Sequence, residues 1–274
     1  MTKKIKVGII GAGSISVMHT EAYQKLNQVE VSAVCDINED RANKYAKKYD
    51  IPDVFTDYKQ MLKMGDLDAV SVTTWNNSHA PISIAALREG KHVLCEKPLA
   101  LNADQAREMV AVAKKTGKLL MVGFVRRFEK KANMLKEAVE NGKLGDVYYA
   151  KTGYLRKWGN PGGWFADKKR SGGGPVIDIG VHIIDLTWYL MGRPEPVSVS
   201  ANTYEKIGDY DTEGVSRWEA LDTDDLVFDV EDSAAGFIRF DNGATISFDV
   251  SWAINGESTS VISKIFGDKA GAEV

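Results

Sequence analysis

Lys97, Asp178 and His182 are the residues whose types and positions point most directly to chemistry. A histidine titrates near neutral pH, so it can accept or donate a proton as a general acid or base. Asp178 and His182 are four residues apart at the start of an apolar helix predicted over residues 176–191, so they share one face. The alternative, for such a pair taken alone, is a local bond within its helix.

Lys97 belongs to the tripeptide Glu96-Lys97-Pro98, which closes a strand-like run over residues 91–95. Ligands of open α/β sheets bind at the carboxyl ends of parallel strands, so a lysine there lies at the rim of the crevice. Pro98 disfavours the αR conformation at Lys97, and the backbone therefore constrains the direction of the lysine. The alternative is a strand-end turn with a solvated lysine.

A glycine turn follows the first predicted strand, residues 5–10, and leads into a helix predicted to run to Leu26. The turn reads Gly-Ala-Gly-Ser-Ile-Ser over residues 11–16, in the context that a dinucleotide fingerprint requires. Gly11 permits the tight turn, Gly13 lets a pyrophosphate approach the backbone, and the helix amino terminus supplies N–H groups. Ser16 replaces the third Gly or Ala, and it is still small enough for close packing.

Asp36 ends a second predicted strand, residues 29–35, and comes 25 residues after Gly11. A carboxylate there can accept hydrogen bonds from both adenosine ribose hydroxyls and would repel a 2′-phosphate. Ile37 follows, where a basic residue would favour the phosphorylated cofactor, so we expect NAD. Arg41 is the nearest cation and leaves NADP open as a second cofactor. The alternative for Asp36 is an N-cap on the helix predicted over residues 39–48.

Predicted strands and helices alternate through the first half of the chain, which indicates a doubly wound parallel sheet. Further strands are predicted at 53–55, 69–74, 91–95 and 119–122, with helices at 58–63, 81–89 and 104–116. The second half has a helix predicted over 124–142 and strands over 147–155, 233–240, 244–252 and 259–266. Asp241-Asn242-Gly243 predicts a hairpin turn within the last group.

Composition and charge describe an ordinary globular chain of 274 residues with a net charge of −3. The two signs are interspersed, which gives no reason to expect nucleic acid or an anionic membrane as partner. No apolar stretch approaches a membrane span or a signal peptide, so we expect a cytoplasmic location. Cys35 and Cys95 lie in apolar runs and are expected to be buried thiols. No metal is expected, because Asp178 and His182 lack a third ligand at suitable spacing.

Four segments together resemble the glucose–fructose oxidoreductase/inositol dehydrogenase (Gfo/Idh/MocA) family over nearly the whole chain. They are Gly11-x-Gly13, residues 74–79 (Thr-Trp-Asn-Asn-Ser-His), residues 90–100 (Gly-Lys-His-Val-Leu-Cys-Glu-Lys-Pro-Leu-Ala) and residues 173–182 (Gly-Gly-Pro-Val-Ile-Asp-Ile-Gly-Val-His). The resemblance implies an α/β Rossmann domain that binds NAD(P), residues 1–123. It also implies an α+β domain with an open, mainly antiparallel sheet for substrate binding and subunit contact, residues 124–274.

The same resemblance implies NAD(P)-dependent oxidation of a sugar or polyol hydroxyl, or reduction of the matching ketone. His182 would accept the proton, Lys97 would contact the reacting oxygen and tune His182, and Asp178 would bind a neighbouring hydroxyl. The predicted cofactor contacts are Gly11, Gly13, Ser14, Ile15, Asp36, Arg41, Thr74, Asn76, His79 and Glu96. The predicted substrate contacts are Arg126, Trp158 and Trp164, although each tryptophan can equally fold onto its own loop. His19 and His92 are interpreted as structural.

The chain departs from the family pattern in three places. Ser16 replaces a glycine or alanine, and Trp75 stands where proline is usual, so the loop over the nicotinamide is expected to differ in shape. Family members continue past a segment like residues 266–271, so we expect the second domain to lack its C-terminal end.

Two other function classes remain open from the sequence. An NAD-using glycosidase removes hydride and returns it, and it needs the same cofactor turn. A sensor keeps the nucleotide fold without catalysis, but the presence of both Lys97 and His182 argues against one. In every case we expect a homodimer or homotetramer formed through the free face of the C-terminal sheet.

Overall fold

The computed structural model describes residues 3–157, 159, 161–207, 227–255 and 260–274. The chain divides into two compact units, Met1–Gly123 and Phe124–Val274. No helix in these described ranges is long and apolar enough to cross a membrane.

The first unit alternates strands with helices. Its strands are β1 (Ile5–Ile10), β2 (Val29–Cys35), β3 (Asp53–Phe55), β4 (Ala69–Val72), β5 (His92–Cys95) and β6 (Leu120–Val122). Its helices are α1 (Ser14–Gln24), α2 (Glu39–Tyr49), α3 (Tyr58–Met61), α4 (Asn76–Arg88) and α5 (Ala103–Thr116). Helix α4 begins five residues before its predicted start, because the helix accommodates Pro81 in its interior and not in its first turn.

The six strands of this unit form one parallel sheet in the order β3-β2-β1-β4-β5-β6. Neighbouring residues enter buried clusters on opposite faces of the sheet: Ile9 and Val34 on one, Ile10 and Cys35 on the other. Both faces are covered, which explains the continuous apolar runs of β1 and β2. The predicted doubly wound sheet is confirmed, and its switch point lies between β1 and β4.

The second unit contains a sheet with longer strands, and three α-helices, in its described residues. Its strands are β7 (Val147–Leu155), β8 (Pro196–Tyr204), β9 (Ser233–Phe240), β10 (Thr245–Ser251), β11 (Ser260–Gly267) and β12 (Gly271–Glu273). Its helices are α6 (Lys130–Glu140), α7 (Lys168–Ser171) and α8 (Val181–Leu190).

This second sheet has the order β12-β11-β7-β10-β9-β8. The pair of β7 and β10 is parallel, and every other pair is antiparallel. The open, mainly antiparallel sheet is therefore confirmed. Ile183, Leu186 and Leu190 of α8 pack against Ile246 and Ile265 of the sheet, which fixes the helix on that face.

Two predicted helices of the second unit differ in detail from the prediction. The segment 124–142 is a 3₁₀ turn, Val125–Phe128, followed by an extended Glu129 and then α6. The break turns Arg127 onto Asp185 of α8. The segment 176–191 begins with a π-helical turn, Val176–Gly180, before α8. The sequence pattern did not separate these cases, because apolar spacing is similar in α-, 3₁₀- and π-turns.

Candidate active site

The glycine turn after β1 passes directly against the chain that leaves β4. Gly11 has φ +97°, and a Cβ there would lie 2.7 Å from the carbonyl oxygen of Thr73, so only glycine fits. The Thr73 hydroxyl donates to the carbonyls of Ile10 (3.0 Å) and Gly11 (2.7 Å). These bonds fix the turn at the switch point of the sheet. Sequence reasoning missed Thr73, since its partners are more than 60 residues away.

The start of α1 fits a pyrophosphate. Gly13 is its N-cap, without a side-chain cap, and the first turn, which begins with Ser14 and Ile15, carries no acidic residue. A Cβ at Gly13 would meet nothing within 4 Å, so the space above the turn is open. Unpaired N–H groups and open space are what an anion needs at a helix amino terminus. Ser16 is fully buried, and its hydroxyl donates to the Gly13 carbonyl (2.6 Å).

Asp36 lies beside this turn and is already held by the backbone. Its Oδ2 accepts from the N–H of Ala12 (2.8 Å), and its Oδ1 accepts from the N–H of Asn38 (2.9 Å) and from Arg41 Nε (3.1 Å). A carboxylate has about four acceptor positions, so capacity remains for a ribose hydroxyl. The N-cap of α2 is Asn38, which accepts from the N–H of Arg41, so the N-cap alternative for Asp36 is wrong.

The loop after β4 carries Thr74, Asn76 and His79. Thr74 is half-buried, and Asn76 opens α4 as a nearly buried residue. His79 is fully buried, with Nδ1 2.7 Å from the Pro98 carbonyl and Nε2 3.1 Å from the Thr74 carbonyl. A side chain without exposed surface offers nothing for a cofactor to contact. The structure therefore does not support the cofactor role predicted for His79; its ring joins two loops of the site instead.

Glu96 ends β5 in a buried network. Its Oε1 lies 2.9 Å from His19 Nε2, and its Oε2 accepts from the N–H of Lys97 (3.1 Å). Burial works to raise the pKa of Glu96, but the hydrogen bond and charge of His19, together with the Lys97 charge, hold that pKa below its usual value. Glu96 is therefore ionised at neutral pH. Lys97 itself is half-buried at the carboxyl edge of the sheet.

The second unit brings Asp178, His182 and a tryptophan together. Asp178 lies in the π-helical turn and is 8% exposed, whereas His182 in the first turn of α8 is half-buried. The indole N–H of Trp252, just after β10, donates to Asp178 Oδ2 (2.9 Å). Trp252 is itself 1% exposed, so the carboxylate is held in one direction by a rigid donor. Nothing local in the sequence pointed to Trp252.

A second carboxylate fixes the helix that carries His182. Asp185 of α8 accepts from Arg127 Nε (2.8 Å) and Nη2 (2.5 Å), a two-point pair that sets the position of α8 against the 3₁₀ turn. Burial raises the pKa of Asp185, and the Arg127 guanidinium opposes that effect. We interpret this pair as structural support for the histidine, because both partners are committed to each other.

The predicted substrate residues lie in different settings. The Arg126 guanidinium is 5.3 Å from the centre of the Tyr154 ring and 3.6 Å from Glu129. Trp164 stacks on its neighbour Phe165, with ring centres 4.1 Å apart, as the alternative interpretation of this loop expected. Stacking leaves one indole face for other contacts, so its substrate role stays a prediction. Trp158 lies outside the described residues.

The two cysteines are free and buried, as expected. Burial raises the pKa of both Cys35 and Cys95 to about 12, so neither is a thiolate at neutral pH. In the part of the chain that the structure describes, no group of three or more His, Cys, Asp or Glu residues could hold a metal ion.

Comparison with known families decides the classification. A family model described as "Oxidoreductase family, NAD-binding Rossmann fold" matches residues 5–124, and one for the "GFO/IDH/MocA C-terminal domain" matches residues 132–273. The chain belongs to the Gfo/Idh/MocA family of oxidoreductases. The predicted resemblance is therefore confirmed, and the open turn at Gly13 belongs to an NAD-binding domain.

Individual relatives within the Gfo/Idh/MocA family are sugar and inositol dehydrogenases. The chain is 40% identical to the D-glucoside 3-dehydrogenase of Escherichia coli K12 over 98% of this chain and 76% of that protein. It is 32% identical to the myo-inositol 2-dehydrogenase of Thermotoga maritima over 69% of this chain and 55% of that protein. A solved levoglucosan dehydrogenase in complex with NADH and levoglucosan superposes with a TM-score of 0.87 at 26% identity, covering 99% and 73% of the two chains.

Proposed function

We propose that this protein is an NAD-dependent dehydrogenase that oxidises a ring hydroxyl of a sugar or polyol, or reduces the matching ketone. One arrangement carries the proposal: Asp178, held by Trp252, lies four residues before the half-buried His182 at the start of α8. A fixed carboxylate and a half-buried base four residues apart suit two adjacent hydroxyls of one ring, where one is bound and the other reacts.

Each polar residue has one role in this proposal. His182 accepts the hydroxyl proton, and the electrons of that O–H bond form the second carbon–oxygen bond as hydride leaves the carbon. Asp178 accepts a hydrogen bond from the neighbouring hydroxyl and so orients the ring. Lys97 places its ammonium near the reacting oxygen, as a donor to the hydroxyl of the substrate or to the carbonyl of the product.

NAD, when bound, supplies the acceptor for the hydride. Gly11, Gly13 and the first turn of α1, including Ser14 and Ile15, would hold its pyrophosphate, and Asp36 would accept from a ribose hydroxyl. Thr74 and Asn76, which follow β4, remain our proposed contacts for its nicotinamide half. Glu96 is 6% exposed, and both its carboxylate oxygens accept hydrogen bonds within the protein. We therefore propose that it acts on the site through Lys97 and does not contact the cofactor.

A glucoside is the first substrate class to test. The similarity to the D-glucoside 3-dehydrogenase spans nearly the whole chain at 40% identity, which is higher than for the inositol dehydrogenase. We therefore propose oxidation of a pyranoside ring at the C3 hydroxyl, with inositols as the main competing class. Ring hydroxyls of both classes present the vicinal pair that Asp178 and His182 would recognise.

The test is a panel of glucosides, levoglucosan and inositols with NAD, followed by NADH absorbance. Lys97→Ala and His182→Ala should each lower kcat by about 10²-fold or more while the Kd for NAD stays near the wild-type value. The losses should not add in the double variant, because both residues act on one proton transfer. Lys114→Ala, at an exposed position of α5, is the matched control. Wild-type turnover in Lys97→Ala would overturn this mechanism.

The same panel separates the other function classes. A glycosidase that returns its hydride would release a free sugar from an aryl glucoside without net NADH. A sensor would bind NAD without turning over any compound of the panel. Net NADH that depends on His182 excludes both.

We also propose that the protein is a homodimer or homotetramer. Helices α6 and α8 pack against the face of the sheet that holds Ile246 and Ile265. On the opposite face Tyr149 and Phe266 stack with ring centres 5.5 Å apart, and Phe237 is 38% exposed. Such a surface favours an isologous contact. Light scattering at micromolar concentration tests the proposal, and a monomeric mass would count against it.

We further propose a cytoplasmic location, because both thiols are free and buried in the sheet of the first unit. Disulfide-rich scaffolds are typical of oxidising compartments, and this chain has no such framework among its described residues. Fractionation of cells that produce the tagged protein is the direct test, and recovery outside the cytoplasm would refute the proposal.

A further inference from the structure

Glu96 is the residue before Lys97, and a histidine from a distant helix holds its carboxylate. His19, on α1, places Nε2 2.9 Å from Glu96 Oε1, and the two side chains are 10% and 8% exposed. The other ring nitrogen lies 3.2 Å from the hydroxyl of Ser71, which is 2.7 Å from the hydroxyl of Tyr23. Glu96 is ionised and only accepts, so Nε2 of His19 must be the donor.

Pro98 is the residue after Lys97, and a second histidine holds its carbonyl. His79, on α4, is fully buried, and its Nδ1 is 2.7 Å from that oxygen. Burial lowers the pKa of His79, against the two carbonyls that face its ring nitrogens, so the ring is neutral near pH 7. A neutral ring has one N–H, and the shorter contact assigns it to Nδ1.

We infer that His19 and His79 are positioning residues for Lys97, which act by fixing the residue on each side of it. A lysine side chain has four flexible carbons, so the placement of its ammonium depends on a fixed backbone. The two helices α1 and α4 hold this backbone from separate positions. The inference rests on the proposed function only in that Lys97 is taken as the residue that needs placing.

An alternative is that both histidines merely stabilise the fold. It predicts that variants lose turnover in proportion to their loss of stability. Positioning predicts instead that kcat falls while KM for the substrate and the Kd for NAD stay near wild type. A displacement of about 1 Å at a catalytic group can cost 10²-fold in rate. Loss of the hydrogen bond from either histidine should therefore lower kcat measurably.

Asparagine and glutamine provide a matched test at each histidine. The amide nitrogen of asparagine lies near the position of histidine Nδ1, and that of glutamine lies near Nε2. At position 19 the donor to Glu96 is Nε2, so His19→Gln should retain kcat and His19→Asn should lose it. At position 79 the donor to Pro98 is Nδ1, so His79→Asn should retain kcat and His79→Gln should lose it. We expect losses of about tenfold or more.

A second measurement does not need a substrate. The rate at which acetic anhydride acetylates Lys97 in the cofactor-free protein can be read by mass spectrometry. It should change in His19→Asn and His79→Gln and stay at the wild-type rate in His19→Gln and His79→Asn. Thermal unfolding of the four variants gives the stability against which both measurements are compared.

The outcomes separate the two proposals. If Lys97→Ala keeps wild-type turnover, the proposed mechanism fails. The acetylation rates still test whether His19 and His79 position Lys97. If Lys97→Ala is inactive but His19→Asn and His79→Gln keep wild-type kcat and acetylation rates, the positioning role is refuted and the mechanism stands. The opposite amide preference at the two positions supports positioning, and the same preference at both, or losses that follow only stability, contradicts it.

Discussion

Trp252 donates its indole N–H to the carboxylate of Asp178 across a distance of 2.9 Å, and both side chains are buried. The bond joins the end of β10 to the π-helical turn that precedes α8. A carboxylate with one oxygen held in this way keeps the other directed for a further hydrogen bond. The direction of Asp178 is thus set by a residue 74 positions later in the chain.

Trp252→Phe should weaken substrate binding without unfolding the protein. The phenyl ring keeps most of the buried surface but cannot donate, so Asp178 loses the indole N–H as a donor. We expect KM to rise severalfold, with a stability loss of about 1–3 kcal/mol from the lost hydrogen bond and the smaller ring. Steady-state kinetics and urea unfolding measure the two effects.

Trp188→Phe is the control, because Trp188 on α8 donates to the Pro194 carbonyl (2.8 Å) and not to Asp178. It should lose comparable stability and keep KM. An equal rise of KM in both variants would show that the effect comes from general loosening of the unit.

Cofactor preference should depend on Asp36 and Arg41. We expect NAD to bind at least about tenfold more tightly than NADP, or roughly 1.4 kcal/mol. Asp36→Ala should weaken NAD and reduce the discrimination, because the ribose acceptor and the repulsion of a 2′-phosphate are both removed. Arg41→Ala should weaken NADP further, since it removes the nearest cation.

Titration of each variant with both cofactors gives these dissociation constants. Lys44→Ala, an exposed position on the same helix, should change neither. Equal dissociation constants for NAD and NADP in the wild type would contradict the prediction.

Gly123→Ala should disturb Glu96. A Cβ at position 123 would lie 2.9 Å from Glu96 Oε1 and 3.2 Å from its carboxyl carbon, so the buried carboxylate must move. We expect a loss of about 1–3 kcal/mol in unfolding free energy together with a lower kcat. Gly65→Ala, where a Cβ meets nothing within 4 Å, should stay within about 0.5 kcal/mol of wild type. If Gly123→Ala changed neither the unfolding free energy nor kcat, the Glu96 carboxylate would be able to move without cost.

Stability should fall with acidification below pH 6.5 in part because of His79. Burial lowers its pKa from 6.5 in the folded protein, against the two carbonyls that face its nitrogens and the Glu96 charge, while Lys97 lowers it further. Between the folded and unfolded pKa values the unfolded chain binds more protons, so the free energy of unfolding rises with pH. The stability that neutral His79 contributes is fully present above pH 6.5. It declines as the pH drops from 6.5 to the pKa of His79 in the folded protein.

Urea unfolding at several pH values, for wild type and His79→Asn, isolates the contribution of this histidine. The slope between pH 6.5 and the folded pKa should be smaller in the variant. The pKa of Glu96 is also lowered in the folded protein, from its ordinary value of 4.5. The stability that Glu96 contributes is therefore lost only as the pH falls below 4.5, outside the pH range in which His79 acts. Identical slopes would mean that His79 titrates alike in both states.

Local pattern was enough to predict the strand, turn and helix around Gly11 and Gly13, because each element there is encoded by adjacent residues. It also placed Lys97 at a strand end. The contacts that hold the site were not accessible in this way. His19 and Glu96 are 77 positions apart, and nothing in the spacing of either predicts the other. The sequence is ambiguous about His79 for a related reason: a histidine beside a binding loop is the same in sequence whether it faces the ligand or supports the loop.

The parallel pairing of β7 with β10 has a consequence for synthesis of the chain. Both neighbours of β7 come late: β10 starts about 90 residues after β7 ends, and β11 follows β10. At a translation rate of roughly 5–20 residues per second, this strand waits about 5–20 s without either partner. The first unit has all its strands before that point. Nascent chains should therefore contain a folded Rossmann sheet beside an unpaired β7, and chaperone demand should concentrate on the second unit.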